Sequence, residues 1–120
     1  MKLVLYGAPR TKKNSQQIVK LHGRYCVIPS KAYKEYEELC LWQIKGHRAI
    51  DKPVNVKCSY FMPTRRRCDL VNLQEATLDI LIKAKVLADD NATIVRSMDG
   101  SRVFYDKETP RVEIDITEVE

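Results

Sequence analysis

The strictest pattern in this chain is an alternation. Across PVNVKCSYFMP, residues 53–63, the apolar side chains Val54, Val56, Cys58 and Tyr60 are separated by Asn55, Lys57 and Ser59. Period two is the signature of an extended strand with one buried face, and a helix cannot gather those four positions on one side. RVEIDIT near the end repeats the pattern, with Val112, Ile114 and Ile116 inward and Glu113 and Asp115 outward. A sheet with one apolar face needs a second layer to cover it.

Two segments can supply that layer. From Ser30, an N-cap type whose hydroxyl takes an orphan helix N–H, Tyr33, Tyr36, Cys40 and Ile44 recur at helical spacing, widened by Leu39 and Leu41. Tyr33, Tyr36 and Trp42 read as core, and Gly46 as the stop. DLVNLQEATLDILIKAKVL, residues 69–87, is a second helix. Leu70, Leu73, Thr77, Ile80, Leu81 and Ala84 form its buried stripe, with Asn72, Glu75, Asp79 and Lys83 opposite. KLVLYG is a first strand ended by Gly7 and Pro9, and QIVKLHGRYCVI a hairpin turning at His22–Gly23. TIVRSM and RVFYD flank DGS, where Asp99–Gly100 signals a two-strand turn. The expected class is α+β: a single small domain over residues 1–120, with a mixed sheet of about six strands and two helices.

Composition narrows the function classes. At 44% hydrophobic and 31% charged the chain suits a globular domain, and no run approaches the roughly 20 apolar residues of a membrane span. The start carries too short an apolar run for a signal peptide. The four cysteines, Cys26, Cys40, Cys58 and Cys68, form no C-x-x-C pair and stand at no zinc-finger spacing from His22 or His47. Free thiols in a reducing cytoplasm are expected, with no membrane partner. Charge is uneven. Residues 1–67 carry 15 basic and 4 acidic side chains, net +11, whereas residues 68–120 carry 6 and 12, net −6. A basic half suits a polyanion, and an acidic half suits a local acidic site.

Three features converge on chemistry. Arg65, Arg66 and Arg67 run directly into Asp69 at a helix start, and Asp89–Asp90 follow that helix. Clustered carboxylates repel unless a cation sits between them, and Mg²⁺, or Mn²⁺ in its place, is a hard ion suited to carboxylate oxygens. Carboxylate-held metal beside arginines is what phosphodiester hydrolysis requires. A fifteen-residue helix is about 22 Å long, so Asp69 and Asp90 meet only if the chain doubles back as a strand beside the helix start. The short connector VLADDNA allows that return. Taken singly, Asp69 could be a cap, Asp89–Asp90 turn residues and the arginines a solvated loop.

RRRCDLVNLQEATLDILIKAKVLADDNATIV resembles the signature region of the RusA-type Holliday-junction resolvases: basic residues, an Asp-x-Asp-Asn motif, a helix with Lys-Ala and Asp, then Asp-Asp. The order of parts also matches, from a basic N-terminal loop with Asn14 to Ala32–Tyr33 in the first helix. The resemblance implies a Mg²⁺-dependent homodimeric endodeoxyribonuclease, bacterial or phage-encoded, often from a prophage. It would act in DNA recombination and repair, placing paired symmetric nicks across a four-way junction and leaving 5′-phosphates. No small-molecule cofactor is implied. The family's residues fall on Asp69, Asn72, Asp79, Asp89 and Asp90, with Asp90 matched to a catalytic acid. Val71 stands where the second family aspartate should be, and Glu75 replaces a functional lysine. Positions 71 and 75 share one helix face, so Glu75 can send a carboxylate toward the place Val71 vacates. Asp69, Glu75 and Asp90 are therefore the expected catalytic residues and metal ligands, joined by Asp89 and Asp79. Arg10, Lys12, Lys13, Asn14, Arg65, Arg66 and Arg67 are the expected DNA contacts. A two-fold dimer matches the symmetry of an opened four-way junction.

Two other readings stay open. One is a catalytically weakened or inactive junction-binding protein on the same scaffold, its site broken at Val71. The other is a small basic RNA-binding protein, against which stand the clustered acids and the lack of an exposed aromatic motif of the RRM kind.

Overall fold

The computed structural model describes residues 1–12, 16–44 and 48–119. The described elements run β1 (Lys2–Tyr6), β2 (Gln16–Leu21), β3 (Arg24–Pro29), α1 (Lys31–Gln43), β4 (Val54–Met62), α2 (Leu70–Lys83), β5 (Val95–Ser97), β6 (Arg102–Tyr105) and β7 (Arg111–Glu118). The expected alternation sets the centre of the sheet. β4 pairs antiparallel with β7 (Val56 opposite Ile116, Cys58 opposite Ile114, Tyr60 opposite Val112), and β1 extends the sheet beyond β7. β5 and β6 both lie parallel to β4 on its other side, so the sheet is mixed. β2 and β3 form a separate two-stranded sheet rather than part of the main one. Their turn places His22 and Gly23 at φ 52° and 79°, as a tight hairpin whose twist matches its strands requires.

Both helices contribute to one core. Val54, Val56, Cys58, Tyr60, Val112, Ile114 and Ile116 meet Tyr33, Tyr36 and Cys40 of α1 and Leu73, Ala76, Ile80 and Leu81 of α2. Each fully buried aliphatic or aromatic side chain contributes about 1.5–3 kcal/mol. One buried polar pair ties layer to layer: the Tyr60 hydroxyl donates to Thr77 Oγ1 (2.8 Å), which donates to the Leu73 carbonyl (2.9 Å). Ser30 caps α1, its Oγ accepting from the Tyr33 N–H at 3.2 Å.

Several expectations are corrected. Trp42 is 87% exposed and Leu39 about half exposed, because the buried stripe of α1 follows Tyr33, Tyr36 and Cys40 and leaves both outside it. α1 ends at Gln43; Gly46 lies outside the described residues. The turn at Asp99–Gly100 makes no hairpin. β5 and β6 run in the same direction along β4, and residues 98–101 bulge out between them. Asn55 explains the bulge. Its side-chain oxygen accepts from the Asp99 N–H (2.7 Å) and from Ser97 Oγ, and its amide donates to the Asp99 carbonyl (3.2 Å). Ser101 Oγ accepts the Cys58 N–H at 3.0 Å. Side chains thus satisfy backbone groups that a continuous ladder would otherwise take.

α2 stops earlier than the hydrophobic pattern runs. Lys85 has φ 60°, the Val86 N–H reaches the Leu81 carbonyl and the Lys85 N–H the Ile82 carbonyl. That pair of bonds is a Schellman C-cap, normally built on glycine at the left-handed position. Val86 and Leu87, read as helix, are buried beyond the cap, and Leu87 bridges to Ile50.

Candidate active site

The loop between β4 and α2 displays Arg65, Arg66 and Arg67 to solvent. Arg66 and Arg67 line one groove of about 260 Å³ together with Arg10, which arrives from the loop after β1. The structure therefore joins three of the expected DNA contacts across a sequence gap of more than 50 residues. Arg65 turns the other way, its guanidinium 4.6 Å from the centre of the Tyr105 ring. Lys12 is already engaged: its ammonium sits 2.9 Å from Asp79 Oδ2, with both side chains about one-third exposed. Lys13 and Asn14 lie outside the described residues.

Asp69 occupies the N-cap position of α2, with φ −101° and ψ 123°. A cap aspartate ordinarily accepts an orphan N–H from the first turn, but no side-chain cap bond forms here. Its Oδ2 instead accepts from Asn72 Nδ2 at 3.3 Å. This exposed carboxylate immediately follows the arginine loop. Val71, two residues on, is 68% exposed, and Glu75 is exposed one turn above Val71 on the same face.

Asp89 and Asp90 form their own local turn. Asp89 Oδ1 accepts the Asp90 N–H (2.7 Å), and Oδ2 accepts from Asn91 Nδ2 (3.1 Å). Desolvation first, then the neighbouring Asp89 carboxylate, raise the Asp90 carboxyl above its ordinary range, with Asp79 adding to the effect. Asp89 and Asp79 thus both bear on Asp90, and Lys12 already partners Asp79, so a further cation would be most favourable at the Asp89–Asp90 pair. Asn91 is a contributor that sequence reading passed over; the Asp-Asp-Asn run was its signal.

The expected meeting of Asp69 and Asp90 does not occur within one chain. Asp90 senses Asp79, in the second half of α2, whereas Asp69 stands before its first turn. The chain does return as a strand, but that strand begins at the far end. The Ile94 carbonyl receives the Val54 N–H at the start of β4, and Ala88 bonds to Ile50. Cys68, beside Asp69, shares its groove with Met62 at the opposite end of β4. The fourteen residues of α2 place about 20 Å between the two ends.

Carboxylate oxygens are the right donors for a hard divalent ion. Among the described residues, no group of three or more Asp, Glu, His or Cys stands close enough to hold a metal. Mg²⁺ commonly takes only one or two protein carboxylates, completing its shell with water and substrate phosphate, so the Asp89–Asp90 pair and the single Asp69 both suit it chemically.

Compared with known proteins, the chain matches the family described as Endodeoxyribonuclease RusA over residues 7–117. No curated protein matches it.

Proposed function

The chain belongs to the RusA endodeoxyribonuclease family, and from that premise we propose that it is a Mg²⁺-dependent homodimer that resolves four-way DNA junctions by paired nicks, with Mn²⁺ as a substitute ion. Membership makes it a hydrolase acting on DNA; the metal, the dimer and the residue roles are our reading. The observation that carries it is Asp69, a carboxylate in a cap position that does not cap, exposed two residues after the last of three arginines.

Arg10, Arg66 and Arg67 hold the phosphates of the strand to be cut, since their shared groove offers guanidinium forks at backbone height. Asp69, Glu75 and Asp90 hold the metal, with Asp89 and Asp79 shaping the field around Asp90. When bound, a divalent ion supplies an activated water and charge stabilisation at the phosphorus. Asn72 steers the Asp69 carboxylate through its amide.

The separation of Asp69 from Asp90 supports the dimer. One chain presents the two acids at opposite ends of α2. A two-fold axis relating two antiparallel α2 helices puts unlike ends together, so Asp69 from one protomer and Asp90 from the other complete each site. Val71, Glu75, Leu78 and Ile82 recur along α2 at helical spacing, and all four keep some exposure. This stripe is the face on which such helices would meet.

Exposed Val71 favours a second reading, a junction binder with weak or no cleavage. One assay separates them: purified protein on a synthetic four-way junction and on matched linear duplex, with and without Mg²⁺. Symmetric, Mg²⁺-dependent nicks confined to the junction are expected. Tight junction binding without nicks, in Mg²⁺ and in Mn²⁺, establishes the binder instead.

A further inference from the structure

The far edge of the sheet carries an aromatic surface for which the nuclease site has no use. In β6, Val103, Phe104 and Tyr105 are each about 40% exposed, and among the described strands β6 pairs only with β4. Edge strands are usually blunted with charge or proline; this one carries an aromatic ring on each of its two faces, Phe104 on one and Tyr105 on the other. Phe104 stacks on Phe61 with ring centroids 5.0 Å apart and planes 16° apart. Arg102 stands 5.7 Å from the Phe104 ring, and Arg65 4.6 Å from the Tyr105 ring. A groove of about 290 Å³ runs between the arginine loop and β6, lined by Arg65, Arg66, Phe104 and Tyr105. It shares Arg66 with the adjoining groove of Arg10 and Arg67.

We propose that this edge is a stacking platform for unpaired nucleobases, with the Tyr105 ring taking the base and Arg65 and Arg66 the flanking phosphates, while Phe104, on the opposite face of β6, anchors the strand through its stack on Phe61. The proposal rests on the DNA-binding reading above and adds a ligand class to it. Aromatic faces beside a cationic track are how proteins hold single strands. A base inside a continuous duplex has both faces covered by its neighbours, so the platform accepts only bases freed from the stack, as at a branch point. The charge is complementary, and the surface is continuous with the arginine groove. The sequence hid this because Arg65 and Tyr105 are 40 residues apart and meet only through the parallel pairing of β4 with β6.

The test is equilibrium binding of the full chain to a short single-stranded oligonucleotide carrying one fluorescent purine analogue, with linear duplex as the control. A junction-nicking assay of the wild type runs in parallel. Stacking of the analogue on the platform quenches its emission in the wild type. Tyr105→Leu weakens single-strand binding roughly 5- to 100-fold and restores emission, while duplex binding stays within about two-fold. Tyr105→Leu keeps the Phe61–Phe104 stack, so unchanged melting of that variant separates loss of the platform from loss of fold. Wild type that quenches the analogue but nicks no junction sinks the nuclease reading and upholds the platform. Unchanged emission on wild-type binding, no single-strand binding, or equal losses on single strand and duplex in Tyr105→Leu overturns it.

Discussion

At the residue scale the account turns on carboxylates doing different work. Asp69 makes no cap bond that its loss could break. Asp69→Asn is therefore expected to abolish junction nicking while costing well under the ~1 kcal/mol of a lost cap, checked by melting and nicking on one preparation. A variant that keeps nicking makes Asp69 a bystander. Glu75→Gln should likewise abolish Mg²⁺-dependent cleavage and leave junction binding intact; unchanged cleavage would remove Glu75 from the ligand set. Asp106 has a structural task. It accepts the Thr109 and Glu108 N–H groups, each at 3.1 Å, and pairs with Arg111 at 2.9 Å. The Thr109 bond first and then Arg111 lower its carboxyl below the ordinary range. A lowered folded-state value stabilises above the unfolded carboxylate's pKa and is lost as pH falls through the folded one. Asp106→Asn should lower the melting temperature at neutral pH, and the difference should vanish in strong acid; a gap independent of pH would contradict this.

At the element scale, what could be read from sequence was what repeats locally. β4 and β7 follow their alternation residue by residue, and α2 buries Leu73, Thr77, Ile80 and Leu81 as its spacing requires. What could not be read was set by contacts distant in sequence. Asn55 converts a hairpin signal at Asp99–Gly100 into a bulge from 44 residues away. Trp42 has the composition of core but falls off the stripe that Tyr33, Tyr36 and Cys40 define. The end of α2 was hidden by its cap, since lysine rather than glycine occupies the left-handed position. That position strains any side chain, so Lys85→Gly is expected to stabilise the protein by about 0.5–1 kcal/mol, read as a raised urea midpoint. A lowered midpoint would mean that the Lys85 side chain does more for the fold than its backbone costs.

At the scale of the whole molecule, the site's ingredients were legible and its assembly was not. The residues of the arginine loop, the acids of α2 and the acid pair beyond it all stood in one stretch of sequence, but their distance depends on where the returning strand joins the sheet. It joins at Val54, leaving Asp69 and Asp90 at opposite ends of α2. Among the described residues, no helix is long and apolar enough to cross a membrane. The central claim is that two protomers share each site, and subunit mixing tests it most directly. Asp69→Asn and Asp90→Asn proteins, each inactive alone, are unfolded together, refolded and assayed on a four-way junction beside the wild type. Mixed dimers carry both substitutions in one shared site and none in the other. The account therefore predicts recovery of nicking to roughly a quarter of wild-type site activity, as single rather than paired cuts. A mixture as inactive as its parents, beside an active wild type, would contradict it by placing both acids of each site in one chain.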